Sequence, residues 1–352
     1  MELLKVFKEP EEYKGTRYWN ANLIKFEDKE YIVSDKAILT LVTVASCNAA
    51  CKFCSNDITF HPNGKYMTFN DELKRVLDFS VLAGIKKVAF SGGEPTANPQ
   101  KLYDLASNFI PAFSTSRIHT NGYGLMHEIK NKDDKSTILL KGLINLGLSG
   151  VTLSVAHFDT EINREIMRFN GRWKGLTESD IEEIVRVSGQ DTSVRLSCVL
   201  TAKGIKTVDD IINYVKWGRS LGIKRFIFRS PSWIPSDFSK ETQVTRYNRL
   251  NHVNIDPITN ILDTHPDFKI KFTEHKTDSH VHVYTYDNEI TIDIDASSEE
   301  PDPDIKIRRL IVMANQVPYT SWIDPYSYLF EEHKNIATQA AIKELPQLGV
   351  VT

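Results

Sequence analysis

The sequence predicts an α/β fold, namely a partial TIM-type (β/α)6 barrel with a C-terminal extension that contains a few antiparallel strands. The main evidence is a repeated pattern, Gly-[Ile/Leu]-x-x-apolar-x-apolar, which begins at Gly84, Gly147 and Gly222. In each copy the glycine can end a helix, and the apolar residues can form a short strand. Runs rich in aliphatic and β-branched residues predict three more strands, at residues 37–45, 115–120 and 192–200. Six successive strand-and-helix units favour parallel strands with right-handed crossovers.

The predicted barrel occupies residues 36–230, between an N-terminal extension (residues 1–35) and a C-terminal extension (residues 231–352). Beyond residue 230 the repeated pattern stops, and two alternating stretches on either side of residues 287–288 predict an antiparallel hairpin. We expect the C-terminal extension to cap the substrate site. No role is evident for the N-terminal extension.

Capping residues predict where the helices begin and end. Asn70 can accept a hydrogen bond from the first turn of a helix over residues 70–82, and Gly84 can end that helix. Two later helices are expected to start at the capping boxes Ser179-x-x-Glu182 and Thr207-Val-Asp-Asp.

The alternation of side chains along a strand predicts which residues line the barrel. If the apolar positions of the repeat face the surrounding helices, the seventh residue after each glycine points into the barrel near its carboxyl end. The same rule points Arg195 into the barrel and Cys198 toward the helices. Because a polar side chain inside an apolar barrel needs a partner, a ligand is favoured over a buried ion pair at this end. The three residues that the repeat places there are Ser91, Ser154 and Arg229.

Charge and composition argue against several classes of partner. Among 352 residues, 43 basic and 46 acidic side chains give a net charge of −3, which disfavours nucleic acid and anionic membranes as partners. The first ten residues carry charges and lack the apolar core of a signal peptide. The longest apolar run is far shorter than the ~20 residues of a membrane helix. Four cysteines, three of them clustered, favour reduced thiols and a cytoplasmic location.

The three clustered cysteines, Cys47, Cys51 and Cys54, lie within eight residues in C-x3-C-x2-C spacing. Thiolates at this spacing can bind three irons of a cubane iron–sulfur cluster and leave the fourth iron open for chemistry. On spacing alone, a structural zinc site and plain reduced thiols remain alternatives, although a closed zinc site needs a fourth ligand.

A second motif, Ser-Gly-Gly-Glu-Pro-Thr at residues 91–96, follows the next predicted strand along the chain. Together with the cysteine motif, in which Phe53 precedes the last cysteine, it resembles the radical S-adenosylmethionine (SAM) superfamily. The segments Thr120-Asn-Gly and Leu153-Ser-Val follow in the order expected of that family. The resemblance covers roughly residues 35–230.

The resemblance implies an enzyme with one [4Fe–4S] cluster, held by the three cysteines, and with SAM at the open iron of that cluster. The contacts with SAM that it implies fall on Phe53, Gly92, Gly93, Glu94, Asn121, Ser154 and Arg195. We expect Arg229 and His157 to contact the substrate. Some radical SAM epimerases use a lone cysteine as a hydrogen-atom donor, which makes Cys198 a candidate catalytic residue, although its predicted direction favours a small buried hydrophobe.

Within the superfamily, the motifs of this sequence are most similar to those of the subgroup that contains molybdenum-cofactor GTP cyclases and peptide-modifying enzymes. No cysteine follows Cys198, so the auxiliary cluster of that subgroup is not expected. The expected reaction is reductive cleavage of SAM at a single cluster. The resulting 5′-deoxyadenosyl radical would abstract hydrogen from a small polar metabolite, such as a nucleotide, sugar or amino acid derivative, in a biosynthetic pathway. An external flavodoxin- or ferredoxin-type reductant would supply the electron.

Two alternatives stay open. A ribosomally made peptide could be the substrate of an epimerisation or crosslinking, with residues 287–304, which hold eight acids and no base, docking a basic leader. The other alternative is a non-catalytic iron–sulfur protein that carries electrons. The Gly-Gly-Glu segment argues against it, since an electron carrier needs no SAM pocket.

Overall fold

The computed structural model describes residues 5–7, 21–54, 65–231, 242–275, 280–296, 306–322 and 324–333. Within these ranges, the α-helices are α1 (Asp71–Leu82), α2 (Pro99–Phe109), α3 (Leu139–Asn145), α4 (Thr160–Met167), α5 (Glu178–Ser188), α6 (Val208–Ser220), α7 (Gln243–Leu250) and α8 (Asp256–Leu262). The strands are β1 (Lys5–Phe7), β2 (Ala21–Phe26), β3 (Lys29–Val42), β4 (Lys87–Ser91), β5 (Thr115–Thr120), β6 (Glu128–Lys130), β7 (Ser136–Ile138), β8 (Gly150–Ser154), β9 (Ser193–Val199), β10 (Arg225–Arg229), β11 (Phe268–His275), β12 (His280–Tyr286), β13 (Ile290–Asp295), β14 (Ile307–Val312) and β15 (Pro318–Tyr319).

The centre of the molecule is a parallel sheet in the order β3-β4-β5-β8-β9-β10. These are the six strands that the sequence predicts, so the α/β fold class with a parallel sheet is confirmed. Two further parallel strands extend the sheet at its edges, because β13 pairs with β10 and β14 pairs with β3. The sequence predicts β13 only as a strand of the antiparallel hairpin, and it predicts neither β14 nor the two parallel pairings, since neither strand follows a helix that ends in glycine.

The first barrel strand is longer than predicted and begins earlier. Its N-terminal half pairs antiparallel with β2, and its C-terminal half pairs parallel with β4. The sheet therefore crosses both predicted domain boundaries, at residue 35 within β3 and beyond residue 230 through β13 and β14. The predicted antiparallel hairpin is present as β12 and β13, and its turn residues Asp287 and Asn288 both have positive φ, 51° and 55°.

The core lies between the parallel sheet and its helices. The repeat's apolar positions, such as Val88, Phe90 and Phe228, are buried against the helices, as the alternation predicts. Because each of these side chains is removed from water, the burial fixes which face of every strand points into the barrel. The opposite face of each strand points into the barrel, where the candidate site lies.

The predicted helix caps hold at Asn70, whose side chain accepts from Leu73 N at 3.0 Å, and at Thr207, which forms a capping box with Asp210. The cap predicted at Ser179 is wrong. Helix α5 begins two residues earlier, since Thr177 and Asp180 form the capping box there, which places Ser179 inside the first turn.

The C-terminal segment packs back against the first barrel strand and α1. The Arg75 guanidinium donates to Glu27 at 2.6 and 2.7 Å, contacts the Glu332 carboxylate and lies 3.8 Å from the centre of the Phe330 ring. This latch joins three segments that are far apart in sequence. No helix within the described ranges is long and apolar enough to cross a bilayer.

Candidate active site

The three cysteines lie in the loop that follows β3, and all three are half-buried thiols that form no disulfide within the described residues. Residues 166–170, which comprise the last two residues of α4 and the three that follow it, pair antiparallel with this loop, and we call this segment the strap. Ala50 N donates to Arg168 O at 3.0 Å, Lys52 N donates to Ile166 O at 3.1 Å, and Asn170 N donates to Asn48 O at 2.8 Å. The cysteine loop is therefore held by a backbone ladder that no sequence motif predicted.

The Gly-Gly-Glu segment packs directly on the start of the cysteine loop. Gly93 N donates to Val44 O at 2.7 Å, and Glu94 N donates to Ser46 O at 3.0 Å. A Cβ at Gly93 would lie 2.0 Å from Ser46 O, and one at Gly92 would lie 2.6 Å from Val44 O. Both positions thus need glycine for this close backbone approach, independently of any ligand.

Glu94 is buried and accepts four hydrogen bonds from protein donors. Its Oε1 accepts from the backbone N–H and hydroxyl of Thr96 and from the Thr120 hydroxyl, and its Oε2 accepts from Asn121 N at 2.7 Å. Burial raises the pKa of this carboxyl, and the hydrogen bonds oppose the shift. The carboxyl therefore ties the end of β4 to the end of β5, and its Oε2 retains capacity for one more donor.

One cavity of about 440 Å³ opens at the carboxyl ends of the parallel strands and brings most of the predicted site together. Such an end of a parallel barrel is where ligands bind. The predicted residues that line it are Cys47, Cys51, Phe53, Cys54, Gly92, Gly93, Glu94, Asn121, Ser154 and Arg229. The Asn121 amide also donates to Asn48 Oδ1 at 2.7 Å and so supports the cysteine loop.

Three predicted site residues do not line the cavity. Arg195 lies one layer deeper in the barrel, where its Nε donates to Thr152 Oγ1 at 2.7 Å. The His157 ring stacks on Phe158, and its Nδ1 accepts from the backbone of Asp159 at 2.8 Å. Cys198 is fully buried on the helix side of β9. The roles expected for Arg195 with SAM, for His157 with substrate and for Cys198 as a hydrogen donor therefore find no support in their positions.

Several cavity residues were not predicted from the sequence, and two of them carry polar or aromatic groups that bear on the site. His119 on β5 and Trp322, from the segment after β15, both line the cavity. The strand rule could have found His119, because it precedes Asn121 by two residues and shares a face with Arg117. No sequence signal places Trp322 there, since it arrives through a distant segment.

The barrel interior beneath the cavity is rich in guanidinium groups. Desolvation and three neighbouring arginines, Arg195, Arg229 and Arg117, hold the pKa of His119 well below its usual 6.5. Desolvation likewise lowers the pKa of Arg195 to about 9. The Arg229 Nε lies 3.4 Å from the carboxylate of Asp295, yet it is buried and has no hydrogen-bond partner among the described residues. This end of the cavity is thus electropositive and faces a neutral imidazole.

The cysteines have the chemistry and surroundings that an iron–sulfur cluster requires. Burial raises the pKa of Cys47 to about 11 and that of Cys51 further, so iron must displace the thiol protons. The Nδ2 donor of Asn48, next in the chain to Cys47, is buried with no partner among the described residues. Within the same ranges, no three acidic, histidine or cysteine side chains surround one metal-ion position. A cubane is bound differently, because each thiolate binds its own iron, and the three thiols on one cavity wall fit that group.

Comparison with known proteins identifies a family domain within the chain. Residues 41–188 match the model of the radical SAM superfamily. The chain is 26% identical over 225 residues to GTP 3′,8-cyclase of Staphylococcus epidermidis, an alignment that covers 60% of this chain and 61% of that protein. It is 45% identical over 51 residues to PqqA peptide cyclase of Bradyrhizobium diazoefficiens, which covers 14% of this chain and 13% of that one. Streptococcus suis SuiB bound to S-adenosylmethionine superposes with a TM-score of 0.48 and 14% identity, over 82% of this chain and 61% of SuiB.

The chain spans about 61% of the length of the GTP 3′,8-cyclase that it matches. The family match extends from the end of β3 to the end of α5. It therefore contains the cysteine loop, the Gly-Gly-Glu segment, Asn121 and Ser154, which the fold gathers around one cavity. On this match and this geometry, residues 41–188 form a radical SAM domain.

Proposed function

We propose that this chain is an enzyme that binds one [4Fe–4S] cluster and SAM in the cavity and acts on a small, polar, anionic metabolite in a biosynthetic pathway. Radical SAM proteins use these two cofactors. When bound, the two groups supply the one-electron chemistry that removes a hydrogen atom from an unactivated carbon. The single observation that carries the proposal is the cavity, which places the cysteines, the Gly-Gly-Glu segment and an arginine around one space.

The residues of this chain would bind and orient the cofactors. Cys47, Cys51 and Cys54 would hold the cluster through thiolates. The free acceptor capacity of Glu94 Oε2 suits the ammonium of SAM. The Phe53 ring and the Ser154 hydroxyl, which line the same space, would contact the remainder of that ligand. The barrel wall around them would exclude water from the reacting atoms.

The charge of the cavity supports an anionic substrate. Arg117, Arg195 and Arg229 outnumber the two interior carboxylates, Asp293 and Asp295, and only Arg229 among the three arginines lines the cavity. A carboxylate or phosphate of the substrate would complete the hydrogen bonds of the Arg229 guanidinium. The matched GTP 3′,8-cyclase is named for a nucleotide, which has this charge.

The electron would come from an external flavodoxin- or ferredoxin-type protein, and the enzyme would work in the cytoplasm, where free thiols persist. Residues 199–352 contain no cysteine, so a second cluster bound by cysteines of that segment is not part of the proposal.

The described part of the acidic segment, residues 287–296, offers no support for docking a peptide leader. Asp293 and Asp295 belong to β13 and face the arginines of the barrel interior, while Asp287 pairs with Arg219 at 2.6 Å. The acids from residue 299 to residue 304 lie outside the described residues. We therefore favour the small metabolite.

An anaerobic assay tests the proposed function. Protein reconstituted with iron and sulfide should gain a brown chromophore, and with SAM and dithionite it should release 5′-deoxyadenosine, measured by mass spectrometry. Cys51→Ala should abolish both, whereas Cys198→Ala is the matched control and should retain both. A colourless wild-type protein, or a Cys51→Ala variant that still cleaves SAM, would overturn the proposal.

A further inference from the structure

We propose that Met167, which lies in the strap, is a positioning residue. It shields the cluster thiolate of Cys51 from hydrogen-bond donors and thereby keeps the reduction potential of the cluster low. The inference rests on the cluster of the proposed function. It concerns a residue outside the cysteine and Gly-Gly-Glu motifs.

Met167 makes direct contact with the cysteine. Its Sδ lies 3.7 Å from Cys51 Sγ, and its side chain is 2% exposed while it lines the cavity. A thioether carries no N–H or O–H donor, and it packs adaptably against other sulfur atoms and rings. The face of Cys51 that meets Met167 is therefore covered by an apolar group that cannot donate a hydrogen bond.

The contact belongs to a small apolar cluster around Cys51. Ala156, Ile166 and Met167 form its buried centre, with Cys51 and Phe53 packed against it. Cys47 has different surroundings, because its sulfur accepts a hydrogen bond from Ala49 N at 3.4 Å. The two thiolates would thus experience different polarity within one cluster.

The backbone holds Met167 in place. Helix α4 ends at Met167, and Arg168 takes a left-handed conformation with φ 52°, which turns the chain away from the helix axis within the strap. The bonds from Lys52 N to Ile166 O and from Ala50 N to Arg168 O bracket Met167 on both sides. The side chain therefore reaches Cys51 from a fixed backbone and not from a free loop.

Hydrogen bonds to cluster sulfurs, together with solvent access and polarity, set the reduction potential of iron–sulfur clusters. A donor next to a thiolate stabilises the more negative, reduced cluster and raises the potential. An apolar side chain next to the thiolate offers no such stabilisation, and the potential of the cluster is then lower. Met167 is thus placed to favour the oxidised cluster over the reduced one.

Two near-isosteric variants of the reconstituted full chain test this role. Met167→Gln puts an amide donor at the contact, and Met167→Leu keeps it apolar. We expect an EPR-monitored redox titration without SAM to show a higher midpoint potential for Met167→Gln and an unchanged one for Met167→Leu, at equal iron and sulfide per chain. Equal potentials for Met167→Gln and the wild type would overturn the proposal.

A second measurement covers the case in which Met167→Gln fails to load a cluster. In metal-free, reduced protein, Met167→Ala should speed the alkylation of Cys51 by iodoacetamide several-fold and leave that of Cys47 unchanged, followed by peptide mass spectrometry. An unchanged rate of Cys51 alkylation would refute the proposal that Met167 shields this cysteine. This readout also separates the two proposals, because it needs no cluster, whereas a wild-type protein that never binds iron refutes the proposed function.

Discussion

At the residue scale, His119 shows how charge and burial determine a protonation state. Its imidazole borders the cavity, but the barrel wall removes it from bulk water, and three guanidiniums oppose a further positive charge. A neutral imidazole keeps one donor and one acceptor nitrogen, so it can orient a polar substrate group beside Arg229 without competing for the anion.

Replacing His119 should change how the stability of the protein depends on pH. Because its folded pKa lies well below 6.5, the unfolded chain binds more protons than the folded chain just below that pH. Stability is therefore lost as the pH falls below 6.5, by at most about 1.4 kcal/mol per pH unit from this group. We expect His119→Gln to have a shallower slope in urea unfolding between about pH 7.5 and about pH 5.5. Parallel slopes for variant and wild type would contradict this.

Gly93→Ala should damage the cysteine loop. The added Cβ would lie 2.0 Å from Ser46 O, which is backbone and cannot rotate away. We expect a loss of about 1–3 kcal/mol in the free energy of unfolding, together with less iron bound per chain. Gly171→Ala is the control, since its Cβ meets nothing within 4 Å and only its φ of 74° is strained. That variant should lose about 1 kcal/mol and keep its iron, and equal iron loss in both variants would refute the explanation.

At the element scale, the carboxyl of Glu94 joins two strand ends. The Thr120 hydroxyl donates to this carboxyl and accepts from Gly122 N at 2.9 Å, so it links the end of β4 to the turn after β5. The same turn supplies Asn121, which supports the cysteine loop. Motifs that are far apart in sequence thus form one hydrogen-bonded unit.

Thr120→Val should therefore destabilise the protein by about 1–3 kcal/mol, because it leaves a buried carboxylate and a backbone N–H short of a partner. Thr115→Val, at the other end of β5, is the matched control and should cost less than about 0.5 kcal/mol. Chemical unfolding monitored by circular dichroism measures both. Equal losses would show that Thr120 matters only for strand packing.

The limits of the sequence prediction also lie at the element scale. Alternation correctly separated the inward Ser154 and Arg229 from the outward Cys198. It also placed Arg195 on the inward face, but it could not show that Arg195 lies below the cavity, because alternation assigns the face of a strand and not the depth at which a long side chain ends. His157 follows β8 in a loop, where no periodicity applies. The strap was not predictable, since a backbone ladder between distant segments leaves no local pattern.

At the scale of the whole molecule, the Arg75 latch connects three parts of the chain. These are α1, the turn between β2 and β3, and the C-terminal residues 324–333. The Arg75 side chain is 24% exposed, while the side chains of its acidic partners are about half exposed, so solvent weakens each ion pair. The ring of Phe330 adds a cation–π contact. The stability of the latch therefore comes from several modest contacts made by one side chain.

Arg75→Met should cost about 1 kcal/mol of stability and speed amide hydrogen exchange in residues 324–333. Exchange followed by peptide mass spectrometry reads this segment directly. Arg186→Met, which removes an exposed pair with Glu183, should leave both quantities nearly unchanged. Unaltered exchange in Arg75→Met would mean that β14 alone holds the segment.

The parallel pairing of β14 with β3 has a consequence for biosynthesis of the chain. Leu39 and Leu41, next to the cysteine loop, pair with β4 on one side, but their partners on the other side, Leu310 and Val312, come much later in the chain. During translation, that edge of the nascent sheet stays uncovered while some 270 further residues are made. Until β14 has been made and has paired with β3, this edge beside the cysteine loop therefore remains accessible to other molecules.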